Sequence, residues 1–274
     1  MPKGAPKPQG KCIFCGGFPL SKEHMWGKWL RRYLAALTPK TQRLTTLYRD
    51  GRTLRTPPPL IPGRLNRPGA VHSHQLRVVC GNCNGGWMKR LQDGVKPIIL
   101  PLINDDWSTI TADSALALAL WATMFTMTSE HADPNTVSIP LSQREWFKSD
   151  QKVPDNWFVF IGRYHEADQR RASSVYNHHA FGVDRPTDEE RFTPKHNTQT
   201  TTIGVGRLLI HTFCTTSHIV EDQIGFARRF DLRLIHPNGG DIITVPTQVH
   251  DYRGFNLISN DFPKQKGLPY FEYA

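Results

Sequence analysis

Two C-x-x-C pairs, Cys12-Ile13-Phe14-Cys15 and Cys80-Gly81-Asn82-Cys83, stand 64 residues apart and constrain this 274-residue chain more than any other feature. Four thiolates make a complete tetrahedral set for zinc. A shell filled by sulfur leaves no position for a reactant, so such an ion would be a structural staple. Gly16 and Gly17 follow the first pair, where a knuckle needs the chain to turn back around a metal. Unliganded buried cysteines and thiol redox chemistry are the competing readings. The fifth cysteine, Cys214, stands alone in an apolar run and reads as a buried thiol. Five cysteines are few for a disulfide scaffold of this size, which favours a metal site in a reducing, cytoplasmic setting.

The residues beside the two knuckles carry chemistry. Glu23-His24 follows the first pair and Asn84 directly follows the last cysteine, so closing four sulfurs on one ion draws both places together. An imidazole that titrates near neutrality can take a proton from water, while a carboxylate and an amide oxygen suit a hard cation such as Mg2+ or Mn2+. Phosphodiester hydrolysis needs those parts. Each also has a plainer reading, Glu-His as a helix-start carboxylate beside a surface histidine and Asn84 as an N-cap. Apolar residues at Met25, Trp26, Trp29, Leu30, Tyr33, Leu34 and Leu37 predict a helix from the Glu-His pair onward, with Trp26, Trp29 and Trp87 as core. Residues 75–79 predict a strand into the second knuckle, followed by a short helix from Asn84, at or near whose N-cap that residue would sit, ended by Gly94 and Pro97.

The balance of 34 Lys and Arg against 24 Asp and Glu, a net +10, favours a polyanionic partner, DNA first with RNA left open. Candidate contacts are Lys28, Arg31 and Arg32 on the polar side of the predicted helix, and Lys89 and Arg90 after the second knuckle. Arg49, Arg52 and Arg55 join them from a Pro- and Arg-rich insertion at about 38–69, which is either a phosphate-contacting arm or a solvated loop. The longest apolar stretch, residues 115–127, falls well short of the roughly 20 residues of a membrane span, so no membrane partner is expected. Beyond Pro97, helices over 112–129 and 141–148 precede strand-like runs at 157–164, 174–183, 200–215, 230–235 and 241–245, which predicts an α+β domain on an antiparallel sheet. His178 and His179, adjacent on one such run, should point to opposite sides.

The order C-I-F-C-G, L-S-K-E-H, V-V-C-G-N-C-N-G-G-W-M resembles the HNH endonucleases of the ββα-metal fold, in their four-cysteine bacterial and phage form. The likeness covers residues 11–91, about a third of the chain. It implies an N-terminal zinc-stapled ββα-metal module over 1–97; with the helix-plus-antiparallel-sheet pattern read over 98–274 as an accessory domain for targeting, oligomerisation or regulation, the chain is expected to be α+β in two parts. It further implies that His24 is the general base, that Glu23 and Asn84 hold a catalytic Mg2+ or Mn2+, and that Cys12, Cys15, Cys80 and Cys83 hold structural Zn2+. Gln75, with His74 beside it, stands where the family has its middle asparagine and departs from that pattern. The implied activity is a DNA endonuclease or nickase, in settings such as phage defence or mobile elements, with a second copy or another protein as candidate partner of the accessory part. The alternative is a zinc-stapled nucleic-acid-binding or adaptor protein without catalysis.

Overall fold

A computed structural model describes residues 10–32, 48–49, 52–53, 75–108, 110–132, 137–165, 174–181, 197–215, 221–237 and 244–261. Strand β1 (Leu20–His24) pairs antiparallel with β4 (Gln75–Cys80); between them in sequence lies a small ribbon of β2 (Tyr48–Arg49) and β3 (Arg52–Thr53). Strand β4 runs directly into a short helix α1 (Gly81–Cys83), a π turn (Asn84–Met88) and α2 (Lys89–Leu102). Next come α3 (Ala112–Ser129), α4 (Leu141–Asp150) and the main sheet: β5 (Trp157–Tyr164), β6 (Ser174–Phe181), β7 (Thr198–Val205) and β8 (Leu208–Thr215). The chain continues through α5 (Glu221–Arg229), β9 (Arg233–His236), β10 (Val249–His250) and α6 (Tyr252–Asp261).

The main sheet has the order β10-β5-β8-β7-β6. Strands β5 to β8 are antiparallel, and the far edge of β5 is shared by β9, antiparallel, and β10, parallel. Helices cover both of its faces. Val159, Ile161, Ile203 and Ile210 join the core of α2 and α3, whereas Phe158, Phe160, Leu209 and Phe213 pack with Phe226 of α5 and Phe255 and Ile258 of α6. A sheet covered on both sides needs no polar alternation, which is why β8 is buried at every position. The expected single run over 200–215 is therefore two strands joined by a tight turn at Gly206 and Arg207. Two buried threonines of β7 bond sideways to β8, Thr198 to Thr215 at 2.8 Å and Thr202 to His211 Nδ1 at 2.8 Å, whereas Thr200 Oγ1 is buried without a partner among the described residues. His178 and His179 do diverge, to Thr201 and to Ser259 on α6.

Helix α3 spans the expected residues and is closed at its start by a reciprocal cap, Ser114 N to Thr111 Oγ1 at 3.3 Å and Thr111 N to Ser114 Oγ at 2.6 Å. Apolar on nearly all sides, it lies between the sheet and the N-terminal hairpin. One continuous core runs from Cys12 and Phe14 through Trp87, α3 and Phe147 to Ile235. Phe14, Trp87 and Phe147 meet edge to face at 5.0 and 5.7 Å, and Trp26 packs on Phe125 and Tyr176. No helix of the described residues is long and apolar enough to cross a membrane.

Several local expectations are corrected: helices α5 and α6 stand where only strand-like runs were expected after residue 157, and residues 244–245 of the run expected at 241–245 are not in a strand. Among the described residues, the helix predicted from the Glu-His pair begins only at Lys28 and is a 3-10 turn over Lys28–Arg32, entered by a Leu30 N to Gly27 O bond of 2.9 Å. The Trp29 indole folds so closely over Gly27 that a Cβ there would lie 2.3 Å from Nε1 and would have to displace the ring. Tyr33, Leu34 and Leu37 lie outside the described residues. The helix after the second knuckle does not stop at Gly94 or Pro97 but continues to Leu102, because Val95, Ile99 and Leu102 are buried and tertiary packing outweighs the lost backbone bonds.

Candidate functional site

The two knuckles meet as their spacing predicts. The four sulfurs of Cys12, Cys15, Cys80 and Cys83 all lie within 4.8 Å of one another. Cys15 Sγ is 3.6 Å from both Cys80 Sγ and Cys83 Sγ, close to the edge of about 3.8 Å expected for a tetrahedron of sulfurs around zinc. Gly16 adopts φ +66, and a Cβ at Gly17 would stand 3.2 Å from Cys15 Sγ, so the turn behind the first knuckle depends on its glycines. The Cys83 N–H points at Cys80 Sγ at 3.5 Å, the habit of a thiolate held at a helix start. Burial raises the Cys15 and Cys83 thiols; it acts on Cys80 too, but there the Cys83 amide and the neighbouring thiols outweigh it and bring the group down to about 7. This donor set can hold a metal ion such as zinc.

The first knuckle is clamped from the second half of the chain. Arg144 of α4 donates from Nε to Ile13 O at 3.1 Å and from Nη1 to Glu130 Oε1 at 2.8 Å and Ile139 O at 2.7 Å. Glu130 Oε2 also accepts the Ser138 and Ile139 N–H groups. Burial pushes the Glu130 carboxyl upward, against the pull of those amides and of Arg144. Arg144→Ala would leave this carboxylate buried without its cation and is expected to lower unfolding free energy by about 3–5 kcal/mol, read by urea denaturation. A loss below about 1 kcal/mol would show that the clamp contributes little.

The hairpin closed by the cluster presents the Glu-His pair. His24 stands opposite Gln75 in register, with the Gln75 amide nitrogen 2.6 Å from His24 Nε2. Glu23 is 6% exposed and accepts a hydrogen bond at 3.2 Å from Gln92 Nε2 of α2. Burial raises the Glu23 carboxyl to about 7, with the Gln92 bond acting the other way. Both residues line one narrow cleft, together with Met88 and Gln92 and with Trp121, Met124, Phe125 and Thr128 of α3.

Asn84 is placed differently from the expectation. The helix cap is Cys80, and Asn84 begins the π turn, donating from Nδ2 to Ser21 Oγ at 3.0 Å and Lys22 O at 3.4 Å. It is not among the described residues that line the cleft. In an unbroken α-helix, Asn84, Met88 and Gln92 would share one face by i, i+4, i+8 spacing. The kink at Gly86 (φ −96, ψ −110) rephases the turn, so Met88 and Gln92 face the cleft while Asn84 reaches β1.

Among the basic residues, Lys28, Lys89 and Arg90 are exposed, but Lys89 and Lys96 both pair with Asp93. Arg49 and Arg52 oppose each other across the β2–β3 ribbon, Arg31 and Arg32 close the 3-10 turn, and Arg55 lies outside the described residues with most of the insertion. Sequence reasoning missed Gln92, the α3 wall and Arg144. Gln92 alone had a local signal, its helical spacing from Met88. No family model matches this chain, and no curated protein or solved structure was found to be similar to it.

Proposed function

We propose that the chain is a metal-dependent endonuclease or nickase of the HNH type acting on DNA, with its catalytic residues on the N-terminal β1–β4 pair and the four sulfurs holding structural zinc. The observation that carries this reading is the cleft in which Glu23 and His24 lie side by side, with His24 bonded to Gln75, on a hairpin closed by the sulfur cluster. The Gln75 amide nitrogen faces His24 Nε2; with the amide turned to present its carbonyl oxygen, Nε2–H would donate to it and leave Nδ1, buried in this structure, as the basic nitrogen. His24 then takes the proton of a water whose oxygen bonds to phosphorus as the P–O3′ bond breaks, and the leaving O3′ takes a proton from solvent, giving 5′-phosphate and 3′-hydroxyl ends. Glu23, a buried carboxylate with one neutral amide donor, suits a hard divalent cation, and the Asn84 carbonyl oxygen is the second ligand the family pattern supplies. Such an ion contributes charge stabilisation at the phosphate and the leaving oxygen. The test is conversion of supercoiled plasmid to nicked or linear form with and without added Mg2+ or Mn2+. Omitting the ion is preferable to chelation, which also attacks the sulfur site. A zinc-loaded, folded chain that cuts under no divalent ion would overturn the proposal.

The second reading, a zinc-stapled nucleic-acid-binding adaptor, draws on the position of Asn84, whose amide is engaged by Ser21 and Lys22 away from the cleft lining. Asn84→Ala separates the two. Metal ligation predicts at least a tenfold rise, to order of magnitude, in the divalent ion needed for half-maximal cutting. A purely structural Asn84 predicts an unchanged requirement with a modest loss of thermal stability.

A further inference from the structure

Strand β4 carries one more residue than its partner can match. The register pairs Ser21 with Val79 and Glu23 with Leu76, so Arg77 and Val78 together oppose Lys22 in a bulge. Such an irregularity leaves a backbone group unpaired and re-aims the neighbouring side chains. Here the Val78 carbonyl is taken by the Ile13 N–H of the first knuckle at 2.9 Å, and Ile13 is in turn held by Arg144. The bulge is thus braced from the sulfur cluster and from α4, which makes it a rigid feature of the hairpin. Exposure along β4 alternates: Gln75 and Arg77 face solvent, while Leu76 and Val78 pack against the core. Arg77 therefore shares the open face of β4 with Gln75, the partner of His24. Residues i and i+2 of a strand stand about 7 Å apart, of the order of the step between successive phosphates of one nucleic-acid strand. None of the ion pairs among the described residues involves Arg77. A fork of guanidinium donors on a braced backbone suits a phosphodiester better than a flexible surface lysine would.

We propose that Arg77 binds the backbone phosphate adjacent to the one presented to His24, and so sets the register of the nucleic acid on the hairpin. The inference rests on the nuclease reading for the phosphate at His24. Its test uses binding, which is separable from cutting. Fluorescein-labelled single-stranded and duplex DNA would be titrated with the full chain carrying His24→Ala, to keep the probe intact, across about 50 to 200 mM NaCl. Adding Arg77→Ala is expected to weaken binding about 5- to 20-fold and to reduce the slope of log Kd against log salt by about one for duplex, and by about 0.7 for the single strand. Arg77→Lys should keep the slope while recovering part of the affinity, and Lys152→Ala, an exposed cation after α4, should change neither. Equal affinity and slope with and without Arg77→Ala would overturn the proposal, as would an equal loss from Lys152→Ala. Failure of the parent to bind either DNA would also overturn it, and the nuclease reading would then stand or fall on plasmid conversion alone.

Discussion

His24→Ala is expected to lower plasmid cutting by about two to four orders of magnitude, the range a positioned general base supplies, while leaving zinc content and thermal midpoint unchanged. The side chain is half-buried at the end of β1 and bonds to the exposed Gln75, so its truncation opens no cavity in the core. Added imidazole should restore part of the rate, because a small base diffusing into the cleft replaces the missing group. A purely structural histidine would not respond in this way. Cutting by His24→Ala at the parental rate would remove this residue from the mechanism and with it the strongest argument for the nuclease.

The second large effect concerns the sulfur cluster. Cys80→Ser should abolish stoichiometric zinc and lower the thermal midpoint by about 10 °C or more. Binding of structural zinc contributes on the order of 10 kcal/mol, and one lost thiolate forfeits several of these. Each kcal/mol moves the midpoint of a chain of this size by roughly 2–4 °C. Cys12, Cys80 and Cys83 belong to the same core as α3 and β5, so the loss should be felt across the molecule and not only in the hairpin. Cys214→Ser is the control: that thiol is buried in β8 away from the cluster and should leave zinc content intact. A Cys80→Ser chain as stable as the parent, with both free of zinc, would end the staple idea.

The reach of sequence differs between elements for identifiable reasons. The limits of α3 and β5 were legible to the residue, since a capping threonine, a long apolar run and a Val-, Phe- and Ile-rich stretch are local signals. The four-cysteine set was legible because C-x-x-C spacing places two sulfurs on one ion whatever lies between the pairs. The turn after His24 was not, because the same apolar spacing suits a helix and a 3-10 turn alike. Asn84 was read as an N-cap because its residue type favours one, but Cys80 takes the cap through its sulfur and a π turn carries Asn84 around to Ser21.

What the amino-acid sequence determined by itself is therefore the four-cysteine cluster, the limits of α3 and β5, and the adjacency of Glu23 and His24. These depend on residues a few positions apart. The tertiary structure alone decided what surrounds them: Gln92 reaching back to Glu23, Trp121 and Phe125 roofing the cleft, Arg144 holding Ile13 across more than a hundred residues, and the bulge that turns Arg77 outward. Contacts between distant segments leave no periodic trace, because many pairings are compatible with the same local pattern and only packing of the whole core selects among them.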